Sequence, residues 1–246
     1  MLRLMQSLTD QDRLAAIQLR IDQALQTAGR PAGACQLIVV SKTQSAERLV
    51  PLVQAGSIEL GENYLSEAVP KIEALPKGQI WHYIGSIQSN KTRLIAEHFD
   101  WVHTLDREKI AQRLNDQRPG DRPPLNVLIQ VNLDGEASKA GCAPEQVQAL
   151  ADAIAGLPNM CLRGLMSIPK ADQSDPGQPH RRLAALLDSL KPAHPTCDCL
   201  SMGMSGDLEP AVLAGATHVR IGTAIFGPLP AKEAVLPALH LLAPVT

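Results

Sequence analysis

Short apolar runs rich in β-branched residues alternate along the chain with longer segments whose apolar positions recur at helical spacing. The runs predict strands at Leu37–Val40, Ser57–Leu60, Ile80–Ile84, Trp101–Thr104, Leu125–Val131, Met160–Leu165, Cys199–Met202 and His218–Ile221. Between them, helical spacing marks Ser45–Ala55, Tyr64–Leu75, Asn90–His98, Arg107–Asp116, Pro144–Ala155, Arg181–Leu190 and Leu208–Ala214. An additional helix precedes the first strand. Thr9 is its cap, Asp12 lies three residues on, one face carries Leu14, Ile17, Ile21, Leu25 and Ala28, and Gly29 and Pro31 end it. Pro51 removes a backbone donor from its helical pattern and predicts a kink or a late helix start there.

Strands alternating with helices call for a parallel sheet, and eight such units in 246 residues match a closed barrel. The expected fold is α/β: a single (β/α)8 TIM-type barrel domain over 1–246, with an N-terminal helix at about 9–28, the barrel at about 36–227 and a tail at 228–246. A doubly wound open sheet is disfavoured because no G-x-G-x-x-G turn follows the first strand. The Pro-rich and polar stretches Arg118–Pro124 and Lys170–His180 read as loops.

Charge narrows the function. Lys plus Arg number 23 against 25 Asp plus Glu, a formal charge of −2, and no basic run stands out. With aromatics at only 2%, neither a phosphate-binding field nor a base-stacking platform for nucleic acid is expected. No apolar run is long enough to span a bilayer, and acidic residues interrupt the N-terminus before a signal-peptide core develops. Five cysteines at irregular spacing favour a reducing, cytoplasmic setting. His194, Cys197 and Cys199 lack zinc-knuckle spacing and an evident fourth ligand, so no metal site is expected.

Candidate chemistry begins at Leu37-Ile38-Val39-Val40-Ser41-Lys42-Thr43, where an apolar strand runs into a Lys between hydroxyl residues. A Lys at such a strand end is either solvated or an amine presented to a pocket, suited to a Schiff base. In a (β/α)8 barrel the site sits at the C-terminal strand ends, often with a phosphate at the loops after strands seven and eight. Those loops here, Ser201–Asp207 and Arg220–Ala224, are rich in Gly and hydroxyl residues and lead into helices. An amine on one side and a phosphate cradle on the other suit pyridoxal 5′-phosphate (PLP), with Arg220 beside the ring. Asn63 reads as a ring contact or a helix cap, His82 as a core histidine beneath the site, and Met166 and Met202 as core or wall fillers. Gln130 and Asn132 alternate toward the barrel interior, and Lys139 is a weak accessory contact.

The motifs carry a family resemblance. VVSKT at 39–43, GENY at 61–64, WHYIG at 81–85, QSNKTR at 88–93, QVN at 130–132, SKAG at 138–141, RGLMSIP at 163–169, LSMGMSGDLEPAVLAG at 200–215 and VRIGTAIFG at 219–227 resemble the pyridoxal phosphate homeostasis proteins. That family, once called the proline synthase co-transcribed family, is similar to the barrel of alanine racemase standing alone. The resemblance implies a PLP fold type III barrel that holds PLP as a Schiff base on Lys42, with no established catalytic reaction and no catalytic residue. It implies that Arg220 faces the pyridine nitrogen, that Ser201, Gly222 and Thr223 hold the phosphate, and that Asn63 and Met202 lie near the ring. PLP-requiring apo-enzymes are the expected recipients, and a monomer is expected rather than an obligate oligomer. Ser86-Ile87, Gly206 and Pro51 depart from the family's pattern.

The alternative is an amino-acid racemase of alanine racemase type, which needs a proton acceptor on each face of the ring. Such an enzyme carries a further β-domain that supplies one of them. The residues after Gly227 are too few for it, and the chain's two tyrosines, Tyr64 and Tyr83, belong to barrel motifs. A cofactor-free Schiff-base lyase would want its Lys on a later strand beside a carboxylate, a pairing that is not evident.

Overall fold

The computed structural model describes residues 8–56, 58–135, 140–170 and 174–228. Ser57, Glu136, Lys139, the middle of the loop expected at 170–180 and the tail beyond 228 lie outside the described residues.

Helix α1 (Asp10–Thr27) starts where the sequence places it. The Thr9 hydroxyl accepts from Asp12 N–H and the Asp12 carboxylate accepts from Thr9 N–H, so two of the helix's unpaired donors are satisfied reciprocally. There follow β1 (Gln36–Val40), α2 (Ala46–Ala55), β2 (Glu59–Glu62), α3 (Leu65–Ala74) and β3 (Ile80–Tyr83). Next come α4 (Thr92–His98), β4 (Trp101–Leu105), α5 (Glu108–Gln117), β5 (Leu125–Gln130), α6 (Val147–Ala155) and β6 (Met160–Met166). The chain continues through α7 (Gln178–Leu190), β7 (Cys199–Ser201), α8 (Leu208–Leu213), β8 (His218–Ile221) and α9 (Thr223–Phe226).

The strands form a closed barrel in the order β1 to β8, each parallel to its neighbours. Closure joins β1 to β8, with Ile38 opposite Arg220 and Val39 opposite Ile221. The expected (β/α)8 fold is therefore the observed one. Helix α1 lies against α8, where Arg20 pairs with Glu209 at 2.7 Å, and Arg30 donates to the Val212 carbonyl.

Three local expectations are corrected. Helix α2 begins at Ala46, capped by Ser45, and runs through Pro51 rather than starting late. Helix α7 begins at Gln178, with Pro179 in its first turn, so His180 sits in a helix and not in a loop. The helix expected after the Arg220–Ala224 loop starts inside that stretch, as the short α9 at Thr223.

Strand residues such as Val39, Leu60, Tyr83, Val102 and Leu165 pack under the helices as one continuous core. Within the barrel lies a separate small cluster of Trp101, Leu128, Met166 and Cys199. Around it the interior is unusually polar, because His82, His103 and His218 are all buried there with their rings in mutual contact. Burial pushes the Cys35 and Cys199 thiols up to about 12, which suits structural rather than reactive cysteines. His194 bonds Asp152 at 2.9 Å, and among the described residues no group of side chains is arranged to hold a metal.

Burial, reinforced by His82, pushes His218 from its ordinary 6.5 down to about 4, and burial holds His103 well below its usual value. The unfolded chain takes up a proton on these histidines near pH 6.5 while the folded chain does not. The stability their neutrality contributes is therefore complete above that pH and is lost as the pH falls. Urea unfolding should show His218 alone removing about 3 kcal/mol between pH 6.5 and 4, and the pH dependence should flatten in His218→Gln.

Candidate functional site

Lys42 leaves β1 two residues after Val40, and a buried polar network holds the backbone on both sides of it. Lys71, on α3 and 5% exposed, donates to the Ser41 carbonyl at 2.8 Å and to Glu62 Oε1 at 2.7 Å. The Ser41 hydroxyl donates to the same Glu62 oxygen at 2.6 Å. On the other flank, Thr43 N–H donates to Glu67 at 2.6 Å. Thr43 has φ of 64°, a left-handed conformation that a β-branched residue resists by about 1–3 kcal/mol. The carboxylates of β2 and α3 thus hold a strained turn whose product is the placement of Lys42. Burial raises the Glu62 carboxyl above its usual range despite the opposing bonds from Lys71 and Ser41.

Above the strand ends lies a cavity of about 200 Å³ lined by Lys42, Gln44, Asn63, Ile84, Arg220, Gly222 and Thr223, among others. Asn63 is not a helix cap: Tyr64 occupies the cap position of α3. Asn63 Oδ1 is buried without a hydrogen-bond partner. Gly222 lies so close to β1 that a Cβ would meet the Val40 carbonyl at 3.0 Å, so a glycine lets the chain after β8 pack this tightly on β1. Arg220 is 5% exposed and has no carboxylate in contact among the described residues; it donates to Ser201 Oγ at 2.6 Å and to the Ser167 carbonyl at 2.9 Å. Burial lowers Arg220 to about 10, which leaves it charged at neutral pH.

The structure brings together Lys42, Asn63, Arg220, Gly222 and Thr223. It does not bring Ser201 or Met202 to the cavity wall, since both are fully buried beneath it. The Ser201 hydroxyl is already bonded to Arg220 and to His103. Met202 belongs to the main apolar core.

From the loop after β7, Met204 and Ser205 line the cavity instead. This loop turns at Gly203, where φ is 94° and a Cβ would meet Ala211 Cβ at 2.6 Å. It is closed by Met204 N–H donating to Asp207 at 2.7 Å. Burial pushes Asp207 up, but bonds from His180 and Met204 hold it below the usual carboxylate range. Ser205 and Glu62 were present in motifs of the sequence without an assigned role, whereas nothing in the sequence marked Lys71 or Glu67. Gln130 caps its own strand region by donating to the Ala140 carbonyl, away from the cavity lining.

Residues 13–230 match the family described as the alanine racemase N-terminal domain. Curated relatives named pyridoxal phosphate homeostasis protein, from Vibrio cholerae and Escherichia coli K12, are 53% and 48% identical over 224 and 220 residues. The matches cover 88% and 87% of this chain and 95% and 94% of the relatives. The solved structure of PipY from Synechococcus elongatus PCC7942 with PLP bound is similar at a TM-score of 0.73 and 32% identity, covering 84% of this chain and 100% of that one. The chain belongs to the pyridoxal phosphate homeostasis protein family, built on the barrel of the alanine racemase N-terminal domain.

Proposed function

We propose that this protein binds PLP at the C-terminal rim of its barrel, with Lys42 as the covalent anchor, and serves PLP homeostasis without catalysing a reaction of its own. The observation that carries this reading is the cavity wall: among the described residues lining it, Lys42 and Arg220 are the only ionisable groups. The wall fits the cofactor. Asn63 offers a buried oxygen with no protein partner, the Gly222 backbone is unobstructed by a side chain, and Ser205 and Thr223 bring hydroxyls.

PLP supplies an aldehyde for an amine, an anionic phosphate, and a pyridine ring able to withdraw electrons. Lys42 provides the amine, held in place through Ser41 and Thr43. Gly222, Thr223 and Ser205 provide donors for the phosphate, and Asn63 meets a ring substituent. Arg220 would meet the ring nitrogen as a donor that keeps its own proton, which would leave that nitrogen unprotonated and the ring a weak electron sink.

Racemisation would require a second proton acceptor at the ring, and neither tyrosine offers one. Tyr64 is exposed and lines a different depression. Tyr83 donates to the Ser86 carbonyl and is pushed up to about 12 by burial. PLP-requiring apo-enzymes are the proposed recipients. No helix among the described residues is long and apolar enough to cross a membrane.

The purified protein should take up PLP with a visible absorbance band that Lys42→Ala abolishes, and Arg220→Ala should lose cofactor faster on dialysis. A colourless wild type that ignores added PLP would refute the reading, and alanine racemisation at an ordinary enzymatic rate would replace it with the racemase. Lys71→Met should destabilise the fold by about 3–5 kcal/mol in denaturant titrations, because Glu62 is then buried without its cation. The double variant Glu62→Gln, Lys71→Met should recover part of that loss.

A further inference from the structure

Arg220 is a buried cation whose guanidinium touches no carboxylate among the described residues, and what it touches instead continues downward through the barrel. Ser201 Oγ, which accepts from Arg220 at 2.6 Å, lies 2.8 Å from His103 Nδ1. His103 Nε2 lies 2.9 Å from His82 Nδ1, and His82 Nε2 lies 3.2 Å from Glu59 Oε2. Ser201, His103 and His82 are each fully buried, whereas Glu59 retains 21% side-chain exposure at the opposite, N-terminal end of the barrel.

The direction of the chain follows from its ends. A guanidinium can only donate, so Ser201 Oγ accepts there, and its own proton has His103 Nδ1 as its one partner in the contacts made. His103 then carries its proton on Nε2 and donates to His82 Nδ1. His82 in turn carries its proton on Nε2, which makes no hydrogen bond and lies 3.2 Å from the Glu59 carboxylate as an electrostatic contact only. Trp101 stacks on His82 at 5.6 Å and 17°, which fixes the ring plane this order requires.

We propose that Ser201, His103 and His82 are positioning residues for Arg220, forming a one-way hydrogen-bond chain that fixes the guanidinium in the cavity wall and runs down the barrel interior toward Glu59 at its far end. The chain requires both imidazoles to be neutral. An imidazolium at His103 would donate from both nitrogens, leaving Ser201 to accept from two cations at once. The charged and titratable groups facing the pair are Glu59 from β2 and His218 and Arg220 from β8; His218 is in turn influenced by Arg163 from β6 and Asp198 just before β7. Burial and the neighbouring cations oppose proton uptake at His103, so the chain stays intact at neutral pH and breaks in acid.

The cofactor part of this inference rests on the PLP reading; the hydrogen-bond order does not. Long-range proton–nitrogen NMR of the cofactor-free protein, ¹⁵N-labelled at histidine, should show His82 and His103 neutral and protonated at Nε2 at pH 7. Ser201→Ala should move the His103 Nδ1 resonance. A proton on Nδ1 of either ring overturns the proposal even if the protein never binds PLP. With PLP, Ser201→Ala and His103→Leu should weaken retention by about tenfold and shift the visible band, the loss of a bond to a charged group. His103→Gln, whose amide accepts and donates in the same order, should retain PLP within about twofold of wild type. If wild type binds PLP and His103→Leu holds it as tightly with an unmoved band, the positioning role is refuted. Should the truncating variants fail to fold, the wild-type tautomers and the His103→Gln spectrum still decide the matter.

Discussion

Closure of β1 onto β8 is the constraint on which the rest of the molecule depends. The pairing of Ile38 with Arg220 and of Val39 with Ile221 joins segments from the two ends of the barrel sequence. It alone places Lys42 beside Arg220, Gly222 and Thr223. An open sheet with the same elements would leave Lys42 on one edge and Arg220 on the other. Parallel closure also aims every C-terminal strand end at one rim, so a single cavity collects side chains from loops distant in sequence.

A barrel interior is ordinarily filled by branched apolar residues. Here three histidines, a serine and an arginine occupy much of it, and burial of such groups costs free energy unless each finds a partner. The partners are mostly one another, running from Arg220 through Ser201 and His103 to His82. A polar core of this kind is less forgiving than an apolar one, since removing one member strands its neighbour. The same holds at the rim, where Glu62, Lys71 and Glu67 together hold the turn around Lys42. Stability has thus been traded for placement at two points, both of which bear on groups facing the cavity.

Much of this was legible in the chain. The alternation of apolar runs with helical spacing gave the eight units and the barrel, and Thr9 with Asp12 marked the first helix. The candidate residues Lys42, Asn63, Arg220, Gly222 and Thr223 could be named because each sits at or just past a strand end, where a barrel carries its site, and within a motif that carries the family resemblance. Ser201 shows the limit. Its motif suggested a phosphate contact, but as a strand residue pointing inward it is buried below the cavity, while Ser205 on the following loop reaches the wall. His180 shows another: a polar, Pro-containing stretch read as a loop, yet Pro179 is acceptable in a first helical turn, and burial against Asp207 makes the helix worth forming.

The sequence by itself determined the strand and helix periods, the parallel sheet they demand, and the presence of an amine at one strand end with Gly-rich loops at two others. Those are local properties, set by side-chain sterics, backbone propensities and the need to bury apolar faces. Only the tertiary structure decided which residues share the cavity, that Thr43 is held in a left-handed turn by Glu67, and that His82 meets His103 inside the barrel. Those contacts depend on the register between strands and on the point of closure. Register is fixed by the whole barrel at once, and no short stretch of the chain encodes it.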